Sequence, residues 1–579
     1  MSSFILTAFA SLFAVILYLV YVVRTNRQQF DGLPQPPSSR IWGHLKIAGD
    51  CKNIFPPNTH VQNWMHYVRK TYNQGDFFYL DWWPVGPKWL IICQPEIMSK
   101  YITTTQSLPK SNLTTDFVDR LLGKNNIIGL EGHEWKMMRS VFNPGFAASH
   151  LISLVPYIVD SSLILRGILL QKAQTNELFS LDTILVRYAI DIIGKITLDT
   201  DFDSQRRPNA IVDTFRRQVD LMPSASSIGP LDDINLVRPV RLWLNMRKLD
   251  RLIGAELDRK IATRATYQNG NGHSDEKTTL SKDRKRSVVD LALDAYEKEN
   301  PLSTSGNSSS TMTPWFRKTA IDSLKTFIFA GHDTTATTIG YTLYMLHLHP
   351  KIYKRLVEEI DSIYGTGCNG DDIAEQIRLS PHTIHRLEYL TAIIKEVLRL
   401  FPPASSLRTT SKKGQREPKD LFFTDPRTGN SYPLEGFQIW CLSHAAHRHE
   451  DYFPDPIKFV PERFLPNETP YPDALLHTAR GKDAWRPFEK GPRNCVGQEL
   501  AMIESKVLLA TVVKDIDFTA EYDGKPIETW TPIETRDEYK DQRPGYEKMT
   551  IEGHRAYQVL AGAANPAAGM PGRVRLRKQ

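Results

Sequence analysis

Three rhythms of apolar and polar positions run along this chain. From Phe4 to Val23 the sequence FILTAFASLFAVILYLVYVV carries no charge. At about 20 residues it is long enough to cross ~30 Å of hydrocarbon as a helix. The second rhythm is helical spacing. It predicts one long apolar helix over Trp315 to Leu348, with Thr313 as N-cap, Pro314 in the first turn and Pro350 as its stop. Leu387 to Leu400 is another such run, closed by Phe401, Pro402 and Pro403. Val496 to about Val512 is a third, with Leu500, Ile503 and Val507 on one face. The last rhythm is strand-like, over residues 77–93 (FFYLDWWPVGPKWLIIC) and around 437–442. Together they predict a large, mainly α fold with small peripheral β-sheets.

No Lys or Arg precedes the first apolar run, whereas Arg24 and Arg27 follow it. That pattern favours an uncleaved membrane anchor over a signal peptide, and the positive-inside rule sends the rest of the chain into the cytosol. The expected division is an anchor over residues 1–30 and a single catalytic domain over 31–579. LPQPPSS, Leu33 to Ser39, reads as a stiff extended spacer between them. There is no internal repeat. Polar tracts at 268–286 and 303–311, rich in Gly, Ser and Asn, read as surface loops around a helical segment, SVVDLALDAYEKEN.

Composition narrows the class. With 41% hydrophobic residues in 579, the chain can bury a large core. The net charge of +7 is mild, and no Lys/Arg run interleaves with aromatics, so no nucleic-acid partner is expected. Five scattered cysteines without a CxxC argue against a disulfide scaffold and for a reducing compartment. Glycosylation-like sequons at Asn112, Asn307 and Asn467 mean nothing in a domain that faces the cytosol.

Candidate chemistry concentrates in FEKGPRNCVG, Phe488 to Gly497, where one cysteine sits just ahead of a predicted helix. The free amides and positive end of that helix point back at Cys495, which favours thiolate and a lowered thiol pKa. Gly491 and Gly497 let the backbone pass close to a flat partner. Arg493 reaches an anionic group on that partner, and Phe488 supplies an apolar cover. A thiolate with a planar, anionic partner describes haem held through its iron; the plain alternative is a buried structural cysteine.

The order Phe488–x2–Gly491–x–Arg493–x–Cys495–x–Gly497 resembles the haem-binding loop of the cytochromes P450, whose cysteine thiolate ligates haem iron. Other segments resemble the same family. AGHDTT, Ala330 to Thr335, is similar to its oxygen-activation motif, which implies that Thr334 hydrogen-bonds dioxygen and that Asp333 helps deliver protons. Physically, Gly331 weakens the helix there, Thr334 and Thr335 can bond back to carbonyls and bend or open it, and Asp333 needs water or a partner. Glu396 and Arg399 of EVLR, with Arg463 of Pro461–Phe464, match the family's buried ion network. Trp135 and Arg139 of GHEWKMMR match its WxxxR beside the haem propionates, and Arg408 matches another propionate-facing position. The histidines of HRHEDYFPDP are expected to be structural.

The resemblance runs over roughly residues 77 to 518, in family order. It implies the P450 fold, haem b, and monooxygenation of a lipophilic small molecule with O2. No GxGxxG dinucleotide site stands in a strand–helix context, so NADPH must act through a partner, by resemblance the membrane-bound NADPH–cytochrome P450 reductase. Arg486 and Lys490 are expected docking charges for it. The anchor implies a single-pass, microsomal enzyme in the endoplasmic reticulum membrane with a cytosolic catalytic domain, acting as a monomer. The texture of WRPFEKGPRNCVGQELA is most like fungal secondary-metabolism members. Alternatives are a haem-thiolate isomerase or dehydratase, a desaturase-type oxidative cyclase, and a haem sensor or carrier. The substrate pocket is expected from 111–130, the region before Gly229, Phe327 to Ala330, and 404–408.

Overall fold

The computed structural model describes residues 2–222, 237–269, 286–299, 312–412, 420–522, 525–526 and 550–577. Its organising element is the central helix, Pro314–Leu348. Thr313 caps it, its hydroxyl oxygen accepting from the Phe316 amide at 3.2 Å. Every side chain from Thr319 to Ile328 is buried. A helix enclosed on all sides belongs to the core, and this one packs against Leu181–Leu198, Glu388–Leu400 and Gln498–Val512. The expected opening at Gly331 does not occur. The helix runs through without a break because the missing Cβ serves a close crossing instead: one at Gly331 would stand 2.9 Å from Ile193.

Residues 77–93 form the strands Phe77–Asp81 and Lys88–Ile92, paired antiparallel with Tyr79 opposite Leu90. Lys88–Ile92 then runs parallel to Gln438–Cys441, which pairs antiparallel with Ser406–Arg408. This sheet places Arg408 beside Lys110 through an isolated bridge. The segment after 550 returns to the body as the C-terminal hairpin, Gln558–Ala561 with Ala563–Pro566, followed by Pro571–Leu576 against Ile516–Tyr522. None of these tail strands was expected from the sequence.

The tract around 288–299 is helical, Val288–Glu299, as expected. Most of the flanking polar tracts, together with the sequon at Asn307 and the pocket region before Gly229, lies outside the described residues. The expected anchor falls within the helix Ser2–Gln28, part of whose side chains also lie outside them. Among the described residues no helix is long and apolar enough to cross a membrane. The Pro-rich segment after it does not stand free: the Pro34 carbonyl accepts from the Tyr79 amide at 2.8 Å, and Arg27 pairs with Asp81.

Candidate functional site

The cysteine loop is a tight turn closed by main-chain bonds. The Cys495 amide donates to the Phe488 carbonyl at 2.9 Å and the Asn494 amide to that of Gly491 at 3.1 Å. Gly491 has φ +87°, and a Cβ there would lie 2.2 Å from the Thr103 carbonyl oxygen. Its freedom is therefore spent on the Thr103 backbone rather than on a flat ligand. The Phe488 ring stands edge-on to Trp485 at 5.9 Å. Gly497 precedes the helix Gln498–Val512, and its amide bonds the Cys495 sulfur.

That sulfur opens on a cavity of about 270 Å³ lined by Arg139, Phe146, Asn494 and Val496 among others. Cys495 is exposed towards this cavity, yet desolvation within the loop pushes its thiol up, against the Gly497 amide and the Arg139 charge. The lowering expected from the helix end is present but outweighed by desolvation.

Cations gather around this loop. Arg139 donates to the Asn494 carbonyl at 3.1 Å and to its side-chain oxygen at 3.0 Å. Arg493 pairs with Glu131, donates to the Leu130 carbonyl at 2.8 Å, and lies over the Trp135 ring at 4.4 Å. Burial lowers its pKa to about 10. Arg408 is fully buried; it donates to Ser406 Oγ and to the Leu108 carbonyl, both at 2.9 Å. Its Nη2 is buried without a partner among the described residues. Such an orphaned guanidinium nitrogen calls for an acceptor, because an unmet buried charge is expensive. Lys110 was missed by sequence reasoning. Burial brings it down to about 7, with the Arg408 charge adding to that, and no local motif marks it.

Accessible sulfur, an unsatisfied guanidinium, Arg139, Arg493, Lys110 and the Trp135 ring fit a planar, dianionic group with a metal at its centre. Haem has that chemistry: Cys495 would hold the iron and the cations the propionates.

On the central helix, Ala330 is exposed, and Thr334, one turn on, is partly exposed between buried Asp333 and Thr335. The Thr334 hydroxyl donates back to the Ala330 carbonyl at 2.8 Å. Asp333 is buried and faces the C-terminal hairpin. It accepts from the Ala563 amide at 2.8 Å and from Asn565 Nδ2 at 3.0 Å. Burial pushes it up to about 6 in spite of those donors. Asn565 is a second residue that sequence reasoning missed, since it lies beyond the recognised motifs.

Glu396, Arg399 and Arg463 meet in one buried cluster. Arg399 clasps Glu396 with bonds of 2.7 and 2.8 Å, and Arg463 reaches the same carboxylate at 3.2 Å. His447 connects it to the cysteine loop, its Nδ1 against the Arg399 carbonyl at 3.1 Å and its Nε2 accepting from the Arg486 amide at 3.0 Å. The Arg486 side chain is itself buried, paired with Glu489 and donating to Thr103 Oγ1 at 3.1 Å. It presents no charge at the surface and is not a docking residue; of the two expected, only Lys490 is partly exposed.

A mainly helical domain whose accessible cysteine is ringed by cations is built as a cysteine-ligated haem protein. The cytochrome P450 family model matches residues 34–535, and the chain belongs to that family. It is 32% identical over 566 residues to the cytochrome P450 monooxygenase polC of Polytolypa hystricis, covering 97% of this chain and 93% of the relative. To acrF of Aspergillus aculeatus, also a cytochrome P450 monooxygenase, it is 32% identical over 89% of this chain and 97% of the relative. A cytochrome P450 crystal structure superposes with a TM-score of 0.63 at 16% identity, over 90% of this chain and 99% of that one. The enzyme class is that of a cytochrome P450 monooxygenase.

Proposed function

We infer that this enzyme inserts one atom of O2 into a lipophilic secondary metabolite, with electrons from NADPH through a cytochrome P450 reductase. One observation carries the reading: Thr334 is open next to a buried Asp333 on the central helix, in a chain whose Cys495 sulfur is free to bind a metal. Bound haem supplies the oxygen-activating chemistry. The protein supplies the rest. Cys495 fixes the iron, and Arg139, Arg408, Arg493 and Lys110 orient the propionates. Asp333, raised to about 6, takes up and gives up a proton just below neutral pH, and Thr334 presents a hydroxyl beside it. An isomerase or dehydratase needs no such acid–alcohol pair, so its presence favours the monooxygenase.

The same reading places the protein on the endoplasmic reticulum membrane through its N-terminal helix, body in the cytosol. Exposed Phe13, Leu17, Tyr18 and Tyr21 on that helix, with exposed Ile41, Trp42 and Val85 near its end, offer an apolar surface to lipid. Lys490 remains as the docking charge for the reductase. The reduced, carbon-monoxide-treated protein is expected to show the red-shifted band of thiolate-bound haem, and Cys495→Ser to lose it. Reductase-dependent NADPH consumption in the presence of lipophilic extracts, followed by product analysis, then identifies the substrate. Persistence of the band in Cys495→Ser ends the proposal.

A further inference from the structure

Four arginines converge on a second cavity, of about 130 Å³, which shares no lining residue with the one beside Cys495. Arg187 comes from the helix Leu181–Leu198, Arg216 from the helix Ala210–Asp220, and Arg206 and Arg207 from the turn between them. That turn is held in place. Buried Asp191 accepts from the Ser204 amide at 2.8 Å and from the Gln205 amide at 3.1 Å. The Asp203 carbonyl accepts from the amides of Arg206 at 3.2 Å and Arg207 at 3.1 Å. Like charges gathered in this way repel unless an anion lies among them. The wall supplies little. Asp203 pairs with Arg207 at 2.9 Å, and Asp213 is the one carboxylate that lines the cavity. Arg187, Arg206 and Arg216 have no side-chain hydrogen bond or ion pair among the described residues. The Arg216 charge acts on Asp182 and His332, but burial raises that carboxyl to about 7 and lowers that imidazole to about 4. Neither gives a full negative charge at neutral pH. The other polar groups are already spent: Ser204 Oγ donates to the Arg187 carbonyl at 3.1 Å, and Asn209 Oδ1 accepts from the Ile211 amide at 2.9 Å.

We propose that this cavity binds a phosphate monoester, held by the guanidinium groups of Arg187, Arg206 and Arg216. A guanidinium is a planar fork of N–H donors that meets two oxygens of a phosphate group at once. Three forks arriving from three elements suit a tetrahedral anion, whereas a planar carboxylate is satisfied by fewer. The volume has room for a phosphate group but lies far below the ~300 Å³ at which pockets for whole small molecules begin. All four arginines are exposed, so the cavity is open and the organic part of the ester lies outside it. Recognition therefore rests on the phosphate alone, which a soluble ester and the headgroup of phosphatidic acid present alike. The inference does not depend on the haem site or on the reaction proposed above.

Hydrogen exchange at residues 203–213 of the full, haem-loaded chain in detergent tests this, with inorganic phosphate as the probe. Phosphate is expected to slow exchange there more than chloride does at equal ionic strength, because chloride only screens. Arg187→Gln combined with Arg216→Gln is expected to weaken the phosphate midpoint by about tenfold or more. Both positions are exposed, so the melting temperature should stay that of the wild type. Arg206→Gln, from the turn, is expected to weaken binding in the same direction and keeps the test open should the double variant fail to fold. Nanodiscs in phosphate-free buffer then distinguish the sources, phosphatidylcholine alone against phosphatidylcholine with phosphatidic acid. Slowed exchange with phosphatidic acid assigns the site to a lipid headgroup. Its absence, with the effect of inorganic phosphate intact, assigns the site to a soluble phosphate ester. Chloride that matches phosphate, or a midpoint unmoved by these substitutions, overturns the proposal.

Discussion

Asn565, on the C-terminal hairpin, donates a 3.0 Å hydrogen bond to Oδ1 of Asp333, 232 positions earlier in the chain. The amide has one orientation, because its own oxygen accepts from the Thr337 hydroxyl at 2.8 Å. Burial raises the Asp333 pKa, while this donor and the Ala563 amide oppose the rise by favouring the charged form. Asn565→Ala is therefore expected to move the Asp333 midpoint upward from about 6, by about one unit. Carboxyl titration by infrared spectroscopy reads the shift. A midpoint that stays or falls means the hairpin does not tune this acid.

Glu396 accepts from Arg399 and Arg463, all three side chains out of contact with water, and from the Val460 amide. Deleting it strands two guanidinium groups. Glu396→Ala is expected to cost about 3–5 kcal/mol and to give protein without bound haem. The ratio of haem to protein after purification measures this, and full haem content would refute the role.

What was legible in the sequence was local. The Thr313 cap, the long helix, and Glu396 with Arg399 one turn apart depend on neighbours within a few positions. Contacts across hundreds of positions were not legible: Asn565 to Asp333 and Lys110 to Arg408 exist only once the chain folds. Burial was the other blind spot. Arg486 reads as a surface charge until Glu489, three residues on, is seen pairing with it inside the protein. Cys495 reads as a lowered thiol if the helix end is weighed without desolvation. Spacing reveals which groups can meet along one element, but not how much water they keep.

Arg448 and Glu552 form a buried pair with two bonds of 2.7 Å, tying the tail to the segment ahead of the cysteine loop. Burial alone would raise the Glu552 pKa, but the Arg448 charge outweighs it and the carboxyl stands at about 2. A depressed acid contributes stability that is complete above its unfolded value and is lost as pH falls through the folded one. Wild type should therefore lose stability from this group between about pH 4.5 and 2. Glu552→Gln is expected to lower stability at pH 7 by about 3 kcal/mol, with the deficit shrinking on acidification. Thermal melts at pH 7 and pH 3 decide it. A deficit that is constant with pH would place its origin in packing rather than charge.

The central helix is fastened to the helix Val237–Asn269 by two cations and two carboxylates. Lys325, fully buried, lies 2.8 Å from Asp322 and 2.5 Å from Asp250; Lys318 lies 2.8 Å from Asp322 and 3.0 Å from Asp250. The free Asp322 oxygen accepts from the Asn125 amide at 3.1 Å, inside the 111–130 stretch expected at the substrate pocket. The two lysines are not equivalent. Lys318 is 44% exposed, so water screens it and Lys318→Ala should cost under about 1 kcal/mol. Lys325 has no water to fall back on, and its removal leaves buried Asp322 with only the water-screened Lys318 and the Asn125 amide. Lys325→Ala is therefore expected to cost about 3 kcal/mol or more, lowering the melting temperature and freeing the 111–130 stretch. Hydrogen exchange at residues 120–126 measures the second effect. Equal losses from the two lysines would mean that burial does not govern the strength of this fastening.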